Sequence, residues 1–275
     1  MVQKTFVIYN HSIPGDTLHI EVGRQYFACW SGLSEGNAIS SFELFLHDAG
    51  SQTGFSEVVA ELQRESALFS QPFGTIQIIW QQEQCTIIPK PFFREDLSEA
   101  FTQMIFGNEM GVQCQSELVA DKVFLFDIPQ DWAQTMLHHF PAASFHHKYS
   151  RLFSNWSEGR DRAPETFLHA MFYQQHFILV VVKQQNIHLL NSFSYSTPED
   201  ALYHLLNVCE RLGIDKNVTP VFVSGLIDPE SGLYKQLHQY ISDLRTRDFP
   251  TAQLAAEGFR EYPSHFFSSF CNAVV

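Results

Sequence analysis

Residues 166–225 decide the fold: TFLHAMFYQ (166–174), HFILVVVKQQ (176–185), NIHLLNSFSYS (186–196), TPEDALYHLLNVCERLG (197–213) and VTPVFVSG (218–225). The first three segments are short, rich in β-branched and aromatic residues, and separated by polar breaks. That composition reads as a tight antiparallel meander. The fourth carries helix start and stop marks. Thr197 suits an N-cap, Pro198 the first helical position, and Glu199 and Asp200 place negative charge in the first turn. Ala201, Leu202, Leu205, Leu206, Val208 and Leu212 recur at helical spacing, and Gly213 stops the run. Val221, Phe222 and Val223 then form the apolar run of a buried strand. The order is strand, strand, strand, helix, strand.

The same order occurs earlier. Leu18-His19-Ile20-Glu21-Val22 parallels Leu168-His169-Ala170-Met171-Phe172, and residues 26–30 parallel 177–181. Residues 39–47 supply a third strand, and Phe55, Val58, Val59, Leu62 and Leu68 a helix. Residues 75–80 parallel 219–224. The chain reads as one duplicated structural unit, with subdomains at 1–160 and 161–275. The boundary is expected in the polar stretch 155–164, which lacks apolar periodicity.

Between the repeats, residues 85–93 read as a short strand stopped by prolines. Residues 94–106 read as a helix with Leu97, Phe101, Met104 and Ile105 on its apolar face. Residues 107–120 read as a loop or weak strand, 122–128 as a strand, 129–140 as a helix and 144–147 as a strand. After Gly225, a helix is expected over 229–244, a short strand over 252–255 and a terminal helix from Pro263.

The chain has 275 residues, 45% of them hydrophobic, enough for two cores; its 26 phenylalanines fit an aromatic-rich interior. A net charge of −13, with no Lys/Arg run, argues against nucleic-acid binding, which demands a basic surface. The five cysteines form no CxxC pair, as expected for free thiols in a reducing compartment. No signal-peptide pattern opens the sequence. The longest apolar run, 177–182, falls far short of the roughly 20 residues that cross a bilayer. These features predict a soluble cytoplasmic protein.

Three antiparallel strands followed by alternating helices and strands resemble the ribonuclease-H-like unit, a mixed α/β sheet covered by helices. Two in tandem resemble the actin-like ATPase fold of actin, sugar kinases and Hsp70 chaperones. The segment Cys85-Thr86-Ile87-Ile88-Pro89-Lys90-Pro91-Phe92-Phe93 further resembles an uncharacterised bacterial family of about this length, a domain of unknown function with that fold. This resemblance implies nearly the whole chain and supplies no activity.

The actin-like resemblance implies nucleotide held between the halves, with each first hairpin offering glycine to phosphates and an acid to the metal ion. The first hairpin here, Ile20-Glu21-Val22-Gly23-Arg24-Gln25, keeps that pattern with Glu21 in place of aspartate. The second, Phe172-Tyr173-Gln174-Gln175-His176, has neither acid nor glycine. The adenosine-side segment normally has paired glycines; Val223-Ser224-Gly225-Leu226 has one. Glu21, Gly23, Arg24 and Gly225 are therefore candidates for a vestigial nucleotide site, and Tyr173 to His176 are expected to fill the space where phosphates would lie.

No GxxxxGK[ST], GxSxG or HExxH pattern occurs. His138-His139 and His146-His147 flank the Phe140-Pro141 turn, but neighbouring positions point in different directions, so solvent-facing histidines are expected rather than zinc ligands. Glu95, Asp96 and Glu99 read as dipole-stabilising acids at a helix start. The favoured function is a non-catalytic actin-like protein-binding or scaffolding module. It would have a protein partner, no nucleic acid, no cofactor and no catalytic residues. The alternative is a divergent ATP-binding protein or weak ATPase using ATP and magnesium.

Overall fold

The computed structural model describes residues 2–10, 15–33, 38–47, 54–82, 84–107, 111–159 and 163–271. The chain forms two compact units: residues 1–154 with 252–261, and residues 155–251 with 262–275. Of the polar stretch 155–164, residues 155–159 continue a helix and residues 160–162 lie outside the described residues.

In the first unit, β1 (Val2–Ile8), β2 (Thr17–Val22), β3 (Tyr26–Gly32) and β4 (Ile39–His47) lead into α1 (Phe55–Glu65) and β5 (Thr75–Trp80). Then follow β6 (Cys85–Pro89), α2 (Ser98–Phe106), β7 (Val112–Val119), β8 (Lys122–Pro129), α3 (Gln130–His139), β9 (Ser144–His147) and α4 (Lys148–Gly159). The main sheet runs β1-β4-β3-β2-β5-β9, with β2, β5 and β9 parallel. Strands β6, β8 and β7 form a separate antiparallel sheet. One core joins Leu18, Ile20 and Val22 on β2 to Val58, Val59 and Leu62 on α1 and to Met136 on α3. Burying each such aliphatic side chain contributes roughly 1.5–3 kcal/mol relative to exposure.

The second unit holds β10 (Phe167–Phe172), β11 (His176–Lys183), β12 (Asn186–Ser194), α5 (Pro198–Leu212), β13 (Val221–Gly225), α6 (Gly232–Tyr240), β14 (Leu244–Thr246) and α7 (His265–Ser268). Its sheet order is β12-β11-β10-β13-β14, the same as β4-β3-β2-β5-β9. The register repeats as well. Leu18 faces Ser31 and Val22 faces Phe27; at positions 150 further on (18 to 168), Leu168 faces Val181 and Phe172 faces Phe177. The third strand of each meander is bulged at the same place, with Ser40 the extra residue opposite Ser31 and Gly32 and His188 the extra residue opposite Val181 and Val182. The sheet order, the hairpin register and the bulge are those of one ribonuclease-H-like unit laid down twice.

Helix α5 forms as its sequence dictates. The Thr197 hydroxyl accepts from Asp200 N at 3.2 Å, and the Asp200 carboxylate accepts from Thr197 N at 2.9 Å, closing a capping box. Gly213 is left-handed at φ 61°, and Ile214 N returns to the Cys209 carbonyl at 2.8 Å.

Several local expectations are corrected. Helix α6 ends at Tyr240, and Leu244 enters β14, paired with Val221. Residues 252–255 form no strand beyond a single bridge from Leu254 to Ile39. Residues 112–119 are a full strand. Helix α2 turns Thr102 inward and leaves Leu97, Met104 and Ile105 exposed, so the expected apolar face is not its buried one. His147 is wholly buried rather than solvent-facing: its Nε2 donates to the Gln82 carbonyl and its Nδ1 accepts from Tyr149 N, both at 3.1 Å.

Candidate functional site

The two hairpin turns share one backbone construction. Gly23 N donates to the Tyr26 carbonyl and Tyr173 N to the His176 carbonyl, each at 2.9 Å. His47 N donates to the Gln25 carbonyl at 2.9 Å, and Tyr195 N to the Gln175 carbonyl at 3.0 Å. Gln81 N and Leu226 N, just past β5 and β13, bond the carbonyls of Val22 and Phe172. Only the side chains differ.

In the first turn, Glu21 is fully buried. The Tyr26 hydroxyl donates to its Oε1 at 2.6 Å, and Lys148 Nζ donates to its Oε2 at 2.7 Å. The pair is charge-assisted and shielded from water, since neither Glu21 nor Lys148 is exposed. The Tyr26 ring lies over Gly23: a Cβ there would stand 2.0 Å from its Cε1. Glycine is thus required for the ring to reach Glu21. Arg24 is exposed and pairs with no described residue.

In the second turn the glycine is replaced by Tyr173, whose ring is buried and stacked on His176 with centroids 4.7 Å apart. Phe270 meets it edge-on at 5.5 Å. The Tyr173 ring therefore packs within its own unit; of the residues expected to fill the space where phosphates would lie, Gln174 and Gln175 are the exposed ones. Gly225 sits at φ +84°, and a Cβ would lie 2.1 Å from the Phe172 carbonyl oxygen, so it serves close strand packing.

These residues do not fit a magnesium–triphosphate group. Both oxygens of the one acid are taken by Tyr26 and Lys148, and the second turn has no acid. Among the described residues no group of three or more His, Cys, Asp or Glu is placed to hold a metal ion.

Sequence reasoning missed Lys148, which lies 127 positions from Glu21. It also missed Glu117, which bonds His146 at 2.8 Å and accepts from His147 N at 3.1 Å. Burial pushes the Glu117 carboxyl up, but hydrogen bonds from His146, Ser150 and His147 N hold it below its ordinary value. The alternation within residues 112–119 groups Glu117 with Gln113 and Gln115 and sets it opposite Val112, Cys114 and Leu118, so the sequence carried no signal for an inward Glu117.

A family model matches residues 11–244, described as "Protein of unknown function (DUF3822)". The chain belongs to this family. Among curated proteins no sequence matches significantly. A DUF3822 chain of this kind is similar to a Bacteroides thetaiotaomicron protein of actin-like ATPase fold and unknown function, with a TM-score of 0.74 and 17% identity over 84% of this chain and 90% of that one. It is also similar to a chain of the PilM–PilN type IV pilus biogenesis complex, with a TM-score of 0.65 and 11% identity over 94% and 98%. The fold of this DUF3822 chain is actin-like. Among its described residues no helix is long and apolar enough to cross a membrane.

Proposed function

We propose that this DUF3822 chain is a non-catalytic actin-like module that acts in the cytoplasm by binding another protein and needs no nucleotide. The observation that carries the reading is the carboxylate of Glu21: the acid of the first hairpin is held by Lys148 and Tyr26. The second turn, residues 172–176, which has neither acid nor glycine, supports it. So does the net charge of −13, which repels polyanions. A fold similar to that of a PilM–PilN complex is compatible with partner recruitment.

The test is thermal unfolding with millimolar magnesium–ATP. A ligand stabilises the fold only when its concentration exceeds its dissociation constant, and no shift is expected. A rise of several degrees that disappears in Arg24→Ala would establish the alternative, a divergent ATP-binding protein.

A further inference from the structure

The small sheet β6-β8-β7 and helix α2 have no counterpart among the described residues of the second unit. They also carry the densest group of exposed large apolar side chains among the described residues. Met104 and Phe92 are each 74% exposed, Leu118 52%, Ile105 47% and Leu97 37%. Leu97, Met104 and Ile105 stand at i, i+7 and i+8, one stripe along α2 and the turn before it. Leu118 is on β7, against which α2 packs. It shares a sheet face with Ser116 and Cys114, because alternate residues point the same way. Among the described residues β7 is an edge strand, bonded to β8 alone.

The stripe ends at an acidic hollow. Glu95, Asp96 and Glu99 face Cys114 and Ser116 across a space of about 330 Å³. Arg94 neutralises Asp96 through a two-bonded pair at 3.1 and 2.6 Å. Glu95 and Glu99 pair with no described cation. Dipole stabilisation explains acids at a helix start, but it does not explain the adjoining apolar side chains. A helix that leaves Met104 outside and turns Thr102 inside loses burial that a different rotation would have gained.

We infer that this face docks a short segment of another protein in which apolar side chains adjoin Lys or Arg. The apolar residues would cover Leu97, Met104, Ile105 and Leu118, and the cations would meet Glu95 and Glu99. The inference rests on the protein-binding reading above and assigns its contact surface. An anionic membrane is disfavoured as occupant, because the rim is acidic. A second copy of the chain, at net charge −13, lacks the complementary charge.

Three short labelled peptides of one length separate the outcomes by fluorescence polarisation on the full chain: Leu with Arg, Leu with Glu, and Ser with Arg. Saturable binding of the Leu/Arg peptide alone is expected. Its dissociation constant should rise about tenfold or more in Met104→Ser/Ile105→Ser, and again in Glu95→Lys/Glu99→Lys, because exposed anchors and facing charges carry docking energy. Tyr203→Ser, an exposed aromatic of the second unit, should leave it unchanged. Equal binding of the Ser/Arg peptide would reduce the effect to bulk charge and overturn the inference. So would binding insensitive to both double variants, no binding at all, or a concentration-dependent dimer abolished by Met104→Ser/Ile105→Ser. If native partners copurify equally with wild type and the double variants, this surface is wrong while the protein-binding reading stands; nucleotide stabilisation sinks that reading independently.

Discussion

Lys148, the first residue of α4, closes on Glu21 of β2 at 2.7 Å with neither side chain exposed. Two charges withdrawn from water are tolerated because each has the other, and because Tyr26 donates to the remaining oxygen. Removing one partner leaves a buried unpaired charge. Glu21→Ala or Lys148→Ala should each destabilise the protein by about 3–5 kcal/mol, while Glu21→Met/Lys148→Met should recover most of the loss. Urea unfolding of the singles and the double measures this. Two additive singles would show that the residues do not act as a pair.

Acid should weaken the fold before its carboxylates titrate. Burial, then Arg247, holds His169 down at about 3; burial, then Arg151 and His146, holds His19 at about 4. Burial also holds His147 at about 4, only partly offset by the Gln82 carbonyl and Glu117. The folded imidazoles refuse protons that the unfolded chain accepts below about 6.5, so stability falls as pH drops. Each contributes roughly 1.4 kcal/mol per pH unit once well below that value. Glu117, held low, adds its loss only below the ordinary carboxylate range. Melting temperature should decline between pH 7.5 and 5, with a shallower slope in His169→Asn. A flat profile over that interval would contradict the buried neutral state.

Val180 lies opposite His169 on β10 and Leu190 on β12, fully enclosed. Both faces of β11 are covered, since Leu179 and Val181 enter the core with α5 while Val180 and Val182 are buried on the other side. Val180→Asp would leave an unpaired charge in the interior and should prevent accumulation of folded protein. A soluble variant with a cooperative unfolding transition would be the opposite outcome.

Residues 167–225 were legible almost residue by residue because their signals are local and agree. The strand composition of 167–194, the Thr197 cap and the Gly213 stop all name the same elements. Legibility failed where one residue serves two patterns. Leu244 continues the helical spacing of Leu233, Leu237 and Ile241, yet pairs with Val221 as a strand. Helix α2 failed differently: its apolar stripe is real, but Thr102 is the residue that faces the sheet. At the candidate site, Glu21 and Gly23 were legible as a hairpin acid and glycine, while their occupants were not. Tyr26 reaches them through a turn, and Lys148 comes from across the unit.

The two glycines of the candidate site should respond differently to alanine, because different atoms oppose the new methyl group. At Gly23 the obstacle is the Tyr26 ring, a side chain that can swing away. Gly23→Ala should therefore cost the Tyr26–Glu21 hydrogen bond, about 1.5–3 kcal/mol for a bond to a charged group. Tyr26→Leu should cost a similar amount, and the double variant little more than either single, since one bond is lost in all three. At Gly225 the obstacle is the Phe172 carbonyl oxygen at 2.1 Å, and the backbone is at φ +84°. A left-handed conformation alone costs alanine about 1–2 kcal/mol. The methyl group must also push apart β10 and the residue after β13, where Leu226 N bonds the same carbonyl at 2.8 Å. Gly225→Ala should be the more damaging of the two, with no second-site side chain able to relieve it. Equilibrium unfolding decides: if Gly23→Ala proves the costlier, or if Tyr26→Leu adds fully to it, then the first glycine is kept for something other than the ring that lies on it.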